Sequence, residues 1–523
     1  MSQETNKEKK EKCVMNTLLN GMKNVTNYTL TENGGVTHKT TRSDLLDMFA
    51  MGAAMRNRSD EDVILMFRKA FEENPLYALK CLFYIRDVRG GQGERRFFRV
   101  VIKDMASYSK ATKEAIARNM KYVPEFGRWD DLYAFIDTPL QNDALAIMKH
   151  QLALDVECKT PSLLAKWMKS ENASSEETAH LGNITRKYLN MSHKEYRKTL
   201  SILRTRINIV EKLMSENRWD EIEFDKIPSK AGLIYKNAFA RRDIIKAKYE
   251  KFAKDETTKV NAGALYPYEV VEKAIKLMYN GWRYDSTRVP MDNTDRLMIN
   301  KYWDNLTDYF NGAQLNALAV VDTSGSMTGT PINVATSLGL YCAERAGGPF
   351  ANHYISFSSH PQLIECSGVD FCDKVARIVS TNLCENTDIE ATFDMLLDTA
   401  ISNNCTQEDL PQNILVISDM EFDSAAGRWG YHSQKMGHSI SMATAETVLE
   451  GIAKKWEAHG YKMPHLIFWN VDARQNNIPM IGNGPISYVS GFSPSIFQSI
   501  LTGKTGYDLM METLDKERYS VIS

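Results

Sequence analysis

The sequence lacks a long apolar segment of the kind that crosses a membrane. No window of its 523 residues approaches the roughly 18 uncharged apolar residues of a membrane-spanning helix. Residues 1–14 are rich in lysine and glutamate and have no apolar core of the signal-peptide kind. We therefore expect a soluble, cytoplasmic protein with no membrane partner.

Cysteine is sparse, and catalytic signatures are absent from the sequence. The eight cysteines include no C-x-x-C pair and no Cys/His quartet with finger-like spacing, which is typical of reduced thiols and excludes a zinc finger. The chain also has no P-loop, G-x-S-x-G or H-E-x-x-H motif. Metal-dependent phosphoryl or nucleotidyl transfer would need a second carboxylate cluster and a basic phosphate clamp, and neither is clear. We expect no enzymatic activity.

What the chain does have is an uneven division of charge. Residues 1–300 hold 51 Lys and Arg against 41 Asp and Glu, whereas residues 301–523 hold 13 against 25. A basic half suits a polyanion and an acidic half suits a divalent cation, so this division predicts two domains with different partners. The alternative is that the two halves simply dock on each other.

Helical patterning dominates residues 43 to about 303. Ser43 and Ser59 stand before helical patterns as N-caps, and Pro75 opens a third helix. The short, paired units predict an array of helical hairpins resembling HEAT repeats, which would present a long curved surface. We predict a polar N-terminal tail at 1–40, an all-α repeat domain at 41–310 and an α/β domain at 311–523.

The α/β domain begins with an apolar run at 315–321, which predicts a buried strand ending in Asp322, Ser324 and Ser326. Further strands at 353–357, 362–365, 413–419, 466–472 and 486–489 alternate with helices, which predicts a doubly wound, Rossmann-like sheet. Ligands bind at the carboxyl ends of such strands. A carboxylate and two hydroxyls spaced two apart suit Mg²⁺. The alternative is an ordinary Ser/Asp N-cap.

The D-x-S-x-S element from Asp322 to Ser326 resembles the metal-ion-dependent adhesion site of von Willebrand factor A domains. That family completes its site with a threonine from one later loop and an aspartate from another, and Thr387 and Asp419 stand at the matching positions in order. The resemblance implies a site for Mg²⁺, or for Mn²⁺ or Ca²⁺, that accepts a carboxylate from an acidic protein partner. The alternative is an A-type domain whose site stays empty in the cell.

Arginine is dense in the segment F-Y-I-R-D-V-R-G-G-Q-G-E-R-R at residues 83–96, and planar guanidinium groups suit phosphate. Its glycines fit a tight interhelical turn better than a nucleotide loop. Together with segments 123–132 and 162–168 and the A-type domain, this segment resembles the TROVE arrangement of the Ro autoantigen, closest to relatives with an R-D-x-R-G-G-x-G-E loop. The resemblance implies a helical ring that binds small noncoding RNAs on its basic outer face and single-stranded RNA ends in its central hole.

A second basic stretch at 186–248 has aromatic residues interleaved, as stacking on RNA bases would require. The alternative for any single residue is a solvated basic face with core aromatics. The predicted RNA-binding residues are Arg86, Arg89, Arg95, Arg96, Arg128, Lys166, Arg197, Lys198, Arg204, Arg206, Arg241 and Arg242.

These observations predict a monomeric, RNA-binding ribonucleoprotein component for small noncoding or misfolded RNA, with a divalent cation held by its A-type domain. The alternative is a protein-interaction scaffold or assembly factor that binds no RNA, in which the concave helical surface holds an acidic polypeptide.

Overall fold

The structure is a computed structural model of the whole chain. It describes residues 27–207, 209–263, 265–280, 287–310, 312, 314–357, 360–381, 388–422, 447–480, 486–497 and 504–523.

Helices fill most of the chain between residues 44 and 304. They are α1 Asp44–Met51, α2 Asp60–Glu73, α3 Pro75–Arg86, α4 Arg96–Tyr108, α5 Lys110–Asn119, α6 Val123–Phe126, α7 Gln141–Glu157, α8 Leu164–Trp167, α9 Glu176–Tyr188, α10 His193–Arg206, α11 Val210–Ser215, α12 Ser229–Arg241, α13 Asp243–Lys254, α14 Pro267–Met278 and α15 Asn293–Asp304. Within this part, two short strands, β3 Tyr279–Asn280 and β4 Thr287–Arg288, pair antiparallel.

The helices begin where local chemistry favours them. Ser43 Oγ accepts the N–H of Leu46 at 3.1 Å, and Ser59 Oγ accepts the N–H of Asp62 at 3.1 Å, so each serine satisfies a donor that the helix itself leaves free. Pro75 is the first residue of α3, where a missing N–H costs nothing. The predicted helical region is therefore confirmed, whereas a HEAT-like repeat stays a prediction.

The rest of the chain alternates strands and helices. The elements are β5 Ala317–Asp322, α16 Thr330–Arg345, β6 His353–Phe357, β7 Gln362–Glu365, α17 Phe371–Thr381, α18 Ile389–Ser402, β8 Asn413–Ser418, α19 Val448–Ala458, β9 His465–Asn470, β10 Ile486–Ser490 and α20 Gly506–Leu514. The predicted strands are confirmed to within two residues at their ends. The description of α19 starts at Val448, and residues 423–446 lie outside the described part.

The six strands form one sheet in the order β10-β9-β8-β5-β6-β7. All neighbours are parallel except β7, which pairs antiparallel with β6 at the edge. Every residue of β5 and β8 is buried, as expected for central parallel strands that are covered on both faces. The direction of strand addition reverses between β5 and β8, and ligands of doubly wound sheets bind at that reversal.

Both ends of the helical part contact the α/β part. Ser490 Oγ, at the end of β10, donates to the carbonyl oxygen of Phe49 in α1 at 2.9 Å. Arg345, at the end of α16, donates to the carbonyl oxygen of Trp303 in α15 at 2.8 Å. The sheet domain therefore joins the first and last helices of the array.

A β-hairpin precedes the helices and also packs on the α/β part. Its strands are β1 Tyr28–Leu30 and β2 Val36–His38. His38 exchanges two backbone hydrogen bonds with Ile478, at 3.0 and 2.9 Å. Residues 27–40 of the predicted polar tail thus include a hairpin fixed to the sheet domain, while residues 1–26 lie outside the described part. Among the described residues, no helix combines the length and apolar character needed to cross a bilayer.

Candidate functional site

Two carboxylates lie at the point where the strand order reverses. Asp322 is the last residue of β5, and Asp419 directly follows β8. Because β5 and β8 are parallel neighbours, their carboxyl ends bring both side chains to one edge of the sheet. Both residues are buried, at 0% and 1% exposure. Asp322 and Asp419 therefore lie at the same edge of the sheet, as the sequence predicted.

Asp322 is held rigidly by hydrogen bonds to its two oxygens. Its Oδ1 accepts the backbone N–H of Ser324 at 2.9 Å, and its Oδ2 accepts the hydroxyl of Ser418 at 2.6 Å. The hydroxyls of Ser324 and Ser326 lie 2.9 Å apart, because a 3₁₀ turn at Gly325–Met327 folds the loop back. One carboxylate and two hydroxyls of the predicted set are thus grouped on one loop.

Asp419 has a different environment, since it contacts a cation of the protein itself. Its Oδ1 accepts the N–H of Glu421 at 3.1 Å, and its Oδ2 accepts Nη2 of Arg474 at 2.8 Å. Burial, and then the neighbouring charge of Asp419, raise the pKa of Asp322 to about 7. Burial also raises the pKa of Glu421 to about 7. The carboxyl edge of the sheet therefore brings three carboxyl groups, those of Asp322, Asp419 and Glu421, together where water is largely excluded.

The donor set fits a hard divalent cation. Two carboxylates and two hydroxyls supply only oxygen ligands, and a cation would relieve the repulsion between Asp322 and Asp419. In the described part of the chain, no three His, Cys, Asp or Glu side chains form a metal cluster, so such a site depends on Ser324 and Ser326. The predicted ligand Thr387 lies outside the described residues.

The arginine-rich segment turns out to be largely paired within the protein. Arg86 is 1% exposed, and its Nε and Nη2 lie 2.8 and 2.7 Å from Oδ2 of the buried Asp131. A buried guanidinium in such an ion pair cannot reach RNA, so we remove Arg86 from the predicted RNA-binding residues. Arg96 pairs with Asp60 and donates to the carbonyl oxygen of Met55 at 3.3 Å.

The same segment connects the helical part to the end of the chain. Both oxygens of Asp87 accept from the guanidinium of Arg518, and Tyr519 donates its hydroxyl to Asp87 at 3.1 Å. Gly93 has a φ of 65°, and a Cβ on Gly91 would overlap the carbonyl oxygen of Tyr84. These contacts confirm the interpretation of the glycines as a tight turn.

Two arginines of this segment remain at the surface. Arg89 is exposed and donates to the carbonyl oxygen of Glu125 at 2.7 Å, and Arg95 is exposed at the start of α4. Neither lines a described cavity.

A cavity of about 640 Å³ opens between α8, α10 and α11, and we call it the basic groove. It is lined by Lys166, Ser170, Glu171, Asn172, Tyr196, Arg197, Leu200, Ser201, Arg204, Ile209, Glu211, Lys212 and Ser215. Four of these side chains are cationic and two are carboxylates. Three of the cations, at positions 166, 197 and 204, belong to the predicted RNA-binding set.

Arg204 forms one wall of the basic groove and fixes its shape. It donates to the carbonyl oxygens of Ala165 and Met168 at 2.8 and 2.9 Å and to the hydroxyl of Ser170 at 3.2 Å. Burial lowers the pKa of its guanidinium. Arg197, in contrast, has an exposed side chain, 3.9 Å from Glu171. The groove therefore combines a half-buried cation held by three acceptors with an exposed, accessible one.

The remaining predicted cations lie elsewhere on the helical part. Arg128 packs on the ring of Trp167 with its guanidinium carbon 4.6 Å from the ring centroid. Arg206 donates to the carbonyl oxygen of Val156 at 2.7 Å, and Arg242 packs on Trp219 at 4.5 Å. Lys198 and Arg241 are exposed on α10 and α12. These residues do not line the basic groove, so their RNA contacts stay a prediction.

The helical part of the chain matches the family model described as "Domain of unknown function (DUF2828)" over residues 31–178 and 153–311. Together these two matches cover more than half of the chain. The chain belongs to the DUF2828 family. C-terminal to the DUF2828 region, residues 316–520 match a second model, "Domain of unknown function (DUF7788)".

A curated relative is similar over most of the chain. The chain is 26% identical over 524 residues to "Uncharacterized protein L728" of Acanthamoeba polyphaga mimivirus, covering 91% of this chain and 85% of the relative. Among solved structures, the Deinococcus radiodurans RO (RSR) protein is similar over 91% of this chain and 100% of its own, with 15% identity and a TM-score of 0.44.

Two features of this DUF2828 chain were missed by sequence reasoning. Arg474 lies four residues after the end of β9. Loops that follow parallel strands meet at the carboxyl edge of the sheet, so the sequence could have predicted Arg474 near Asp419. Lys212 in the basic groove had no such signal, because it stands alone between Glu211 and Glu216 in the sequence.

Proposed function

We propose that this chain is the RNA-binding component of a cytoplasmic ribonucleoprotein, that it binds small noncoding or misfolded RNA, and that it has no enzymatic activity of its own. The observation that carries the proposal is the basic groove. The motif order that resembles the TROVE arrangement of Ro supports the same proposal.

The charges of the basic groove suit a phosphodiester chain. Arg197 and Lys212 lie on the adjoining helices α10 and α11, while Lys166 and Arg204 lie on α8 and α10. Arginine forks and lysine ammonium groups bind phosphate oxygens without regard to sequence. Four cations and two carboxylates line the groove, and Lys212 also pairs with Glu216 at 2.8 Å, which leaves a small positive surplus that attracts a polyanion.

The groove also offers acceptors, which distinguish a nucleic acid from a simple anion. Oε1 of Glu171 and Oε2 of Glu211 are buried and have no hydrogen-bond partner among the described residues. Buried acceptors without partners are costly, and RNA carries base amino groups and 2′-hydroxyls that can donate to them. A ligand that carries both phosphates and hydrogen-bond donors can pair with the cations of the groove and with its buried carboxylate oxygens.

A charge-reversal series on the whole chain tests the RNA proposal. We expect Arg197→Glu combined with Lys212→Glu to weaken binding of a fluorescent single-stranded RNA roughly tenfold at moderate salt, because two phosphate contacts become repulsive. The matched control is Lys113→Glu with Arg118→Glu, which reverses two exposed charges on α5 away from the groove. Fluorescence anisotropy measures all three proteins. Equal affinities, or tighter binding of polyglutamate than of RNA, would reject the proposal.

The second part of the proposal concerns the cation site. Asp322, Ser324, Ser326 and Asp419, joined by Thr387, would hold Mg²⁺ or a similar divalent ion. Such an ion would supply an open coordination position for a carboxylate of an acidic protein partner. The chain's own contribution is to fix Asp322 between Ser324 and Ser418 so that its oxygens need no rearrangement.

Titration with Mn²⁺ tests the cation site. We expect Asp322→Ala to lose Mn²⁺ binding, because a carboxylate at the centre of the donor set is removed. Asp398→Ala, which removes an exposed carboxylate on α18, should bind like the parent chain. Isothermal titration calorimetry gives the three affinities, and equal binding by Asp322→Ala would remove the assignment.

A further inference from the structure

Arg474 bridges two carboxylates that lie far apart in the sequence, Glu32 and Asp419. Its Nη2 lies 2.8 Å from Oδ2 of Asp419, and its Nη1 lies 2.8 Å from Oε2 of Glu32. Asp419 is fully buried, whereas the Glu32 side chain is 40% exposed. Nε of Arg474 is buried and has no hydrogen-bond partner among the described residues. The guanidinium is therefore held by its two terminal nitrogens alone.

Glu32 belongs to the turn of the N-terminal hairpin, and that turn lies against the loop that follows Asp419. The N–H of Glu32 donates to Oε2 of Glu421 at 2.7 Å, and the hydroxyl of Thr31 donates to the carbonyl oxygen of Phe422 at 2.6 Å. Oε1 of the same Glu421 accepts Nδ2 of Asn477 at 2.7 Å. The hairpin, the Asp419 loop and the Arg474 loop thus form one hydrogen-bonded cluster beside the cation site.

A guanidinium on Asp419 and a divalent cation on Asp419 are in conflict. Both are drawn to the same carboxylate, both are positive, and the surroundings are buried, so their mutual repulsion is weakly screened. Arg474 already neutralises Asp419, and it is tied by Glu32 so that it does not drift into solvent. A cation that uses Oδ2 of Asp419 must displace the guanidinium.

We propose that Arg474 is a tethered competitor at the cation site, and that its displacement by a divalent cation loosens the turn of the N-terminal hairpin. This inference rests on the cation site proposed above. When Arg474 leaves Asp419, its second ion pair with Glu32 is rearranged, and the turn of the hairpin loses one of its anchors. Arg474 is a positioning residue in this scheme. The hairpin at residues 27–38 would report whether the site is loaded.

Two readouts on the full chain test the scheme together. If the guanidinium occupies Asp419 about nine-tenths of the time, removing it in Arg474→Ala should tighten Mn²⁺ binding about tenfold. Arg58→Ala is the matched control, because Arg58 contacts the same loop through Asn476 but no carboxylate of the site. Calorimetry measures Mn²⁺ affinity, and hydrogen–deuterium exchange of residues 28–38 measures the hairpin.

The expected pattern is specific to competition. Mn²⁺ should speed exchange of the hairpin in the parent chain and in Arg58→Ala, while Arg474→Ala should exchange fast with or without Mn²⁺. Glu32→Gln, a conservative change at a partly exposed residue, should give fast exchange and tighten Mn²⁺ binding by less than Arg474→Ala does, because the guanidinium loses its tether but stays beside Asp419. Unchanged or weaker Mn²⁺ affinity in Arg474→Ala would overturn this inference alone. No Mn²⁺ binding by any of the proteins would overturn the cation site, and this inference with it.

Discussion

Two clusters of positive charge in the helical part look equivalent in the sequence and differ in the structure. The segment 86–99 holds five arginines, and the basic groove takes its four cations from residues 166–212. In the segment 86–99, Arg86 and Arg99 form ion pairs with the buried carboxylates of Asp130 and Asp131. In the second, Arg197 stays exposed beside a cavity. Density of charge along a chain therefore does not predict how much of that charge a ligand can reach.

The largest expected effect concerns the paired cluster. Arg86→Ala should lower the free energy of unfolding by about 3 kcal/mol, because it leaves Asp131 buried with fewer partners. Arg89→Ala, at an exposed position three residues later, should change it by less than about 0.5 kcal/mol. Urea denaturation followed by tryptophan fluorescence measures both. Equal stability of the two variants would show that the ion pair between Arg86 and Asp131 does not stabilise the fold.

The buried carboxylates of the molecule differ in the same way, because Asp131 has two arginine partners whereas Asp322 faces another carboxylate. A pKa raised from 3.8 to about 7 means that the folded state binds a proton more tightly than the unfolded chain. In EDTA, this contribution to stability is complete below about pH 4 and is lost as the pH rises towards 7.

Asp322→Asn isolates this contribution. Between pH 4 and 7 the stability of the parent chain should fall relative to the variant, by up to about 1.4 kcal/mol for each pH unit. Asp398→Asn serves as control and should follow the parent. Denaturation curves at several pH values measure the difference, and parallel curves for all three proteins would contradict the raised pKa.

A smaller effect separates the two surfaces directly. Arg89→Glu combined with Arg95→Glu reverses the two exposed charges of the arginine-rich segment and should weaken RNA binding by less than about threefold, since neither residue lines the basic groove. The groove double variant should show the larger loss. Anisotropy titrations at one salt concentration compare them, and the reverse order of losses would place the RNA on the segment instead.

The smallest expected effect is on salt dependence. Each phosphate contact to single-stranded RNA contributes about 0.7 to the slope of log affinity against log salt, so the groove double variant should lower that slope by about 1.4. The variant of the arginine-rich segment should keep the parent slope. Filter binding over a range of salt measures it, and a parent slope near zero would defeat electrostatic RNA binding altogether.

The sequence was sufficient for the strands and for the meeting of Asp322 with Asp419. An apolar run and strand alternation determine which residues end at the same edge of the sheet, and no distant contact has to be known for that. The helix starts at Ser43 and Ser59 were equally local, because capping involves residues only a few positions apart.

The pairing of charges was not available from sequence. Arg86 reaches Asp131, 45 residues away, and Arg474 reaches Glu32 at the other end of the chain. Such partners are set by the packing of whole helices and loops, so spacing cannot identify them. For the same reason the basic groove was predicted only as a loose set of cations, without Lys212.

The most direct test of the central claim is to locate bound RNA on the chain. Hydrogen–deuterium exchange of the full chain with and without single-stranded RNA should show slower exchange in residues 193–215, which form α10 and α11, and no change in residues 86–99. Protection confined to residues 86–99, or no protection in either segment, would contradict the account.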